Sequence, residues 1–350
     1  MRPRLGAFML RGLFRPLLAV ALGAALVSGA AQARSDRAPE PALWQVTKGP
    51  SKVYLLGSIH MLPPGWDWRT KPIDAAINSS DRFFFETSMT AKAIGKFARF
   101  ARRNGRLPKG NVLSGRLSPE GVKTLHKLLE ATPLDPESVD SMRPWLALTV
   151  LTDYQVQNGP HRQRGFAEEG VDYRLEQELL EQGKSVRYLE TPEVQLNVLM
   201  QITPDGDIAG FERDMRELLN AGDMYGRLLD GWTAGNQTEL NKILEETPGN
   251  PKEKALLIDG RNRNWLPQIE RMLLSEETNF VTVGAAHLVG TGGIVDMLCV
   301  RGWKVERVKT GPTQPPPACP AKQPGQSVKT LAPPELRTRQ VSLPPTGSIQ

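Results

Sequence analysis

Cysteine is scarce, with only Cys299 and Cys319 among 350 residues, and neither has an acid or base beside it in sequence to mark it as a nucleophile. In an exported chain the two could close a loop of about twenty residues, so they read as inert or as bonded to each other. No cysteine stands near a cleavage point at the N-terminus, which argues against a lipid anchor there. The glycine-rich stretch LVGTGG (288–293) lacks the Gly-Lys-Ser/Thr ending of a phosphate loop, and its glycines read instead as a tight turn. No Pro/Gly/Ser linker interrupts residues 34–310, so these roughly 275 residues read as a single domain.

The chain also lacks a positive surplus where a nucleic-acid surface would need it. The formal charge is +6, and four of the cations are Arg2, Arg4, Arg11 and Arg15. Residues 311–350 add a further surplus of +3, leaving about −1 on residues 34–310. The high pI therefore gives no support for a nucleic-acid-binding core, and no nucleic-acid partner is expected. The two charged ends have their own readings. A basic start, an apolar core from Leu17 to Val27 and Ala31-Gln32-Ala33 form a secretory signal over residues 1–33. That core is too short for a comfortable membrane span, so the mature chain is expected to be exported, periplasmic or secreted, with no stable membrane anchor. Residues 311–350 hold ten of the 29 prolines and few apolar residues, and read as a disordered tail.

Between these ends two stretches share a design. VYLLGSIH (53–60) and FVTVGAAH (280–287) are apolar strands broken by a glycine, with a histidine three residues later. On one sheet, His60 and His287 would lie just beyond strand ends, where open α/β sheets collect ligands. The plainer alternative is that each histidine caps its strand by bonding a carbonyl. Two more strands end alike: RFFFE closes on Glu86-Thr87 and SVRYLE on Glu190-Thr191. The order GxxH, Glu-Thr, Glu-Thr, GxxH reads either as a diverged duplication or as a coincidence of short matches. A hairpin over 43–56 precedes His60, and a loop with Trp66 and Trp68 follows it, lining a pocket or covering the core.

The rest is helical in pattern: 72–78, 91–103, 118–129 with Ser118 as N-cap, 144–157, 170–181, and further helices over 192–258. A last strand is predicted over 303–308. His126 and His161 read as structural or solvent-facing. From Asp259, taken as a cap, Arg261, Trp265, Ile269, Met272 and Leu273 share one face. Arg261 thus points with the core stripe, where it needs an anionic partner such as Glu86, Glu190 or a substrate group, unless it snorkels to solvent. The expected fold is α/β, a central mixed sheet flanked by helices with a long helical middle.

The segments LWQV, VYLLGSIHMLPPG, FFFE, GVDYRLEQELLEQGK with YLET, RNRNW and FVTVGAAHLVGTGGI together resemble the TraB/GumN family, also called TraB/PrgY. That family is similar to the Tiki metalloproteases and more remotely to erythromycin esterases. The resemblance spans about residues 43–308. It implies a hydrolase-like site at His60, Glu86, Arg261 and His287, with Glu190 as a further candidate.

Three chemistries follow as expectations. In the first, His60, His287 and Glu86 hold a divalent ion (zinc, manganese, iron or cobalt) that activates water against a peptide, amide or ester, with Glu190 moving a proton and Arg261 holding a carboxylate or oxyanion. The second is hydrolysis without metal through a histidine base, as in the esterase relatives. The third is a binding protein that captures a peptide or small molecule at the same sheet edge without turnover.

Overall fold

The computed structural model describes residues 38–319 apart from 131, 159–163, 222 and 247–250. The segment expected to be a secretory signal, His161 and residues 320–350 of the expected tail lie outside the described residues. Among those described, no helix is long and apolar enough to cross a membrane.

Six strands form one mixed sheet: β1 (Leu43–Lys48), β2 (Ser51–Ser58), β3 (Arg82–Phe85), β4 (Ser185–Tyr188), β5 (Thr278–Gly284) and β6 (Lys304–Val308), in the order β4-β3-β5-β2-β1-β6. The hairpin β1–β2 turns at Gly49-Pro50, where the Gly49 φ of +57° suits glycine. β6 adds to β1 antiparallel, while β2, β5, β3 and β4 run parallel to one another. Parallel strands deliver their C-terminal ends to the same edge, so all four candidate strand-end residues arrive together. Register tightens this: Ser58 lies beside Gly284, and Phe85 beside both Thr282 and Tyr188.

Helices cover both faces, which is why the central strands are apolar nearly throughout rather than alternating. Leu56, Phe83, Phe85 and Phe280 pack on one side with Ile73, Val171 and Trp232. Leu55, Val281 and Val283 pack on the other with Trp265, Ile269 and Leu298. A third apolar cluster belongs to the helical middle, where Leu125, Leu128, Trp145, Leu151 and Phe211 are buried together.

The helical expectations hold at 71–78, 91–104, 119–130, 144–158 and 171–181, and Ser118 Oγ accepts from Gly121 N–H at 3.0 Å as an N-cap should. His126 is exposed. Trp68 is buried in the sheet core with Trp66 against it, so that loop covers the core.

Two expectations need correction. Asp259 caps nothing: Pro251–Lys254 passes through a π-helical turn, Ala255–Asp259, directly into Gly260–Met272, and Asp259 pairs with Lys254 at 2.9 Å. The widened turn shifts the register on which Arg261 and the stripe below it are presented. The first residues past 311 are also joined to the domain. Thr313 donates from its backbone N–H to Glu40 at 3.0 Å, and Cys319 is disulfide-bonded to Cys299 with Cα atoms 5.5 Å apart.

Candidate functional site

His60 lies two residues past β2, Glu86 one past β3, Glu190 two past β4, and His287 ends the short 3₁₀ turn Ala285–His287 after β5. They meet above Gly284. A Cβ built there would stand 3.2 Å from Glu86 Oε1, 3.3 Å from His60 Nε2 and 3.6 Å from a ring carbon of His287. Only glycine leaves that space open, and its backbone N–H donates to Glu86 Oε1 at 2.6 Å.

Neither histidine caps its strand through a carbonyl. His60 Nδ1 faces Asp172 Oδ1 at 3.0 Å, and His287 Nδ1 faces Asn262 Oδ1 at 2.7 Å. Asn262 is buried, and its amide nitrogen donates to the carbonyls of His287 and Gly292, which fixes its oxygen toward the ring. Each Nδ1 is thus a donor, and each Nε2 points into the cluster, with a free lone pair on neutral His287 and on His60 once its second proton is lost. Asp172 sits in the first turn of the helix Val171–Glu181. That helix abuts the GxxH loop so closely that a Cβ on Gly170 would come within 2.2 Å of the His60 carbonyl oxygen.

Arg261 reaches the cluster from the opposite side, only 11 % exposed. Its Nε donates to Glu190 at 3.1 Å, and Nη1 donates to the Leu257 carbonyl at 3.2 Å and to His287 Nε2 at 3.1 Å. Nη2 donates to Glu86 Oε2 and, at 2.6 Å, to Glu190 Oε1. All five guanidinium N–H groups are therefore committed within the protein. None remains to hold a substrate carboxylate or an oxyanion, the role expected for Arg261. Glu190, paired to it and 6 % exposed, is likewise a holder of Arg261 rather than a free proton carrier.

The two imidazoles are pushed in opposite directions. The Asp172 carboxylate raises His60 to about 9, an attraction partly screened because that side chain is 58 % exposed. Burial lowers His287 to about 4, keeping it neutral near pH 7. Burial alone would raise Glu86, but His287, Arg261, His60 and the Gly284 N–H bring it down to about 2. Since His287 carries no charge at neutral pH, Arg261, His60 and the Gly284 N–H do that work there.

The donor types suit a divalent ion, yet the arrangement does not. Arg261 sits on His287 Nε2 and on Glu86, where a dication would need the same lone pairs beside a permanent positive charge. Among the described residues no three His, Cys, Asp or Glu side chains are placed to share a metal ion.

A cavity of about 220 Å³ opens on His60, Glu86 and Asp172, and on Phe85, Ala93, Ile94 and Phe97; His287, Arg261 and Glu190 lie behind it. Of these residues Asp172 and Asn262 escaped the sequence reading, as did Gln195, which donates to Glu86 at 3.3 Å.

No solved structure matches the chain. It is 27 % identical over 265 residues to the "Uncharacterized protein YbaP" of Escherichia coli (strain K12), covering 74 % of this chain and 92 % of that one, and the protein of the same name in Shigella flexneri matches to the same extent. The TraB/PrgY/gumN family model matches residues 42–307, which include His60, Glu86, Asp172, Glu190, Arg261 and His287, and the chain belongs to that family.

Proposed function

We propose that this chain is an exported hydrolase of peptide-like amides or esters in which His60, backed by Asp172, acts as general base on water. The observation that carries the reading is the Asp172–His60 pair, 3.0 Å apart at the wall of a cavity and next to a carboxylate that stays charged. Asp172 accepts from Nδ1–H and so leaves the Nε2 lone pair facing the cavity. Nε2 takes a proton from a water molecule whose oxygen attacks the substrate carbonyl carbon. The imidazolium formed lies between Asp172 and Glu86, both anionic, and returns its proton to the departing amine or alkoxide. Behind this pair Arg261, Glu190 and neutral His287 hold Glu86 in place.

Export is supported by the N-terminal signal pattern and by the Cys299–Cys319 disulfide, a bond that persists in oxidising compartments. No step is routed through a metal ion, because Arg261 already donates to His287 Nε2 and to Glu86.

The test is hydrolysis of a panel of peptides and carboxylic esters by purified protein, by His60→Ala, and after exhaustive chelation. The expected results are a loss of about 10²-fold or more in His60→Ala and no effect of the chelator. Activity abolished by chelation and restored by a divalent ion would overturn the metal-free mechanism in favour of a metal hydrolase on His60, Glu86 and His287. Binding of panel members without turnover would favour the capture protein.

A further inference from the structure

The cavity beside His60 has two kinds of lining, and the difference identifies what enters it. His60, Glu86 and Asp172 supply its ionisable groups. Most of the rest is apolar: Ala93, Ile94 and Phe97 from one face of the helix Ala91–Asn104, with Phe85, Met89 and Pro192, while Thr87, Ser88 and Gln195 add uncharged polar groups. Cavities of about 150 Å³ lined by aliphatic and aromatic side chains accept a benzene ring, so about 220 Å³ accommodates one aromatic or long aliphatic group and no second residue of a peptide. The lining contains no lysine or arginine. Arg261, the permanent cation nearest the site, has no donor left over. A substrate carboxylate next to the scissile bond would therefore meet Glu86 and Asp172, offset by His60 and by an Arg261 whose charge is already shared between Glu86 and Glu190.

We infer that this cavity is the specificity subsite for a single large apolar side chain or acyl group flanked by neutral or cationic atoms. The chain would then cleave beside an aromatic or long aliphatic group within a peptide or ester, and not beside a free terminal carboxylate. This inference rests on the hydrolase reading above. Ala93 is the smallest side chain of the apolar lining and is 8 % exposed, so a larger side chain there would take up cavity volume.

The experiment compares kcat/KM for phenylacetyl and acetyl esters of one alcohol, and for N-acetyl-phenylalanine linked to a neutral amine or to an amino acid with a free carboxylate. The expected phenylacetyl preference is about 10²-fold, and the free carboxylate should cost about tenfold. Ala93→Phe should lower the phenylacetyl/acetyl ratio at least about tenfold, and Phe97→Ala should shift preference toward groups longer than phenylacetyl. Calorimetric titration with N-acetyl-phenylalaninamide reads the subsite without turnover: binding weakened by Ala93→Phe supports it, and no binding to the unmodified chain overturns it. Equal rates on both esters, or a ratio unmoved by both variants, would also overturn the subsite while leaving the hydrolase intact. Failure to hydrolyse any substrate together with retained amide binding would remove the hydrolase and keep the apolar site.

Discussion

Replacing Asp172 by Asn isolates the charge that distinguishes His60 from an ordinary histidine. The carboxylate oxygen lies 3.0 Å from Nδ1, and the ring is more than half exposed, so the aqueous limit of Coulomb's law is the safe one. At that distance it gives about 1.4 kcal/mol, or about one pKa unit. The groups facing His60 are Asp172 and Glu86, which raise its pKa, and Arg261, which lowers it. As general base the ring must be neutral, so kcat/KM rises with pH through the raised pKa. Asp172→Asn should move this limb toward acid by at least about one unit. The plateau should fall by about tenfold or more, because the imidazolium formed during reaction loses its nearest counter-charge. A pH profile of kcat/KM for both proteins checks this. A limb that stays in place, or moves toward alkali, would mean that His60 is not the group whose ionisation the profile reports.

Arg261→Ala leaves Glu86 and Glu190 buried without their cation, and should cost about 3–5 kcal/mol in urea unfolding. Arg261→Lys should recover little of that, since three donors on a flexible stem cannot reproduce five in a fork. His287, with a value of about 4 in the fold against 6.5 unfolded, contributes stability that is present above pH 6.5 and lost as pH falls toward 4, amounting to about 3 kcal/mol. Glu86, depressed to about 2, adds a further loss as pH drops from its ordinary 4.5 toward 2, so thermal midpoints should decline in two stages on acidification. Cys299→Ser opens a loop of 20 residues and should destabilise by about 3 kcal/mol under oxidising conditions, with no further change on adding reductant.

Residues at strand ends were legible in the sequence because parallel pairing converts a one-dimensional pattern into a place. GxxH after β2 and β5, and Glu-Thr near the ends of β3 and β4, need only a shared direction to converge, and hydrophobic runs indicate strands well. Asp172 was not legible for the opposite reason. An acid in the first helical turn is the default at a helix N-terminus, and nothing in GVDYRLE separates the carboxylate that serves the dipole from one that serves a histidine. Asn262 follows Arg261 on the same helix but lies off its apolar stripe, so helical periodicity gives no sign that it meets His287. The saturation of Arg261 could not be read at all, since it depends on Glu86, Glu190, His287 and the Leu257 carbonyl arriving from four separate segments. The proline-rich composition past 311 masked its first anchor for a similar reason: the Thr313–Glu40 contact links residues 273 apart in sequence.

The cluster has a front and a back, and the division bears on why Arg261 is there. Two carboxylates buried within reach of each other would repel, and one would take up a proton. A permanent cation between them keeps Glu86 charged, and the neutral His287 accepts from that cation without adding charge of its own. Buried networks of this kind contribute little net stability, because desolvation offsets most of the attraction. Their value is positional: each of the five donors of Arg261 is directed to a different lone pair, so Glu86 has one orientation, with Oε1 on the Gly284 N–H and beside His60. Gly284→Ala separates position from stability. Its φ of −50° admits alanine, yet the new methyl would enter the space shared by His60, Glu86 and His287. Activity should therefore drop by about tenfold or more while the thermal midpoint moves by only a few degrees. A Gly284→Ala protein with unchanged kcat/KM would show that no reacting group passes through that space.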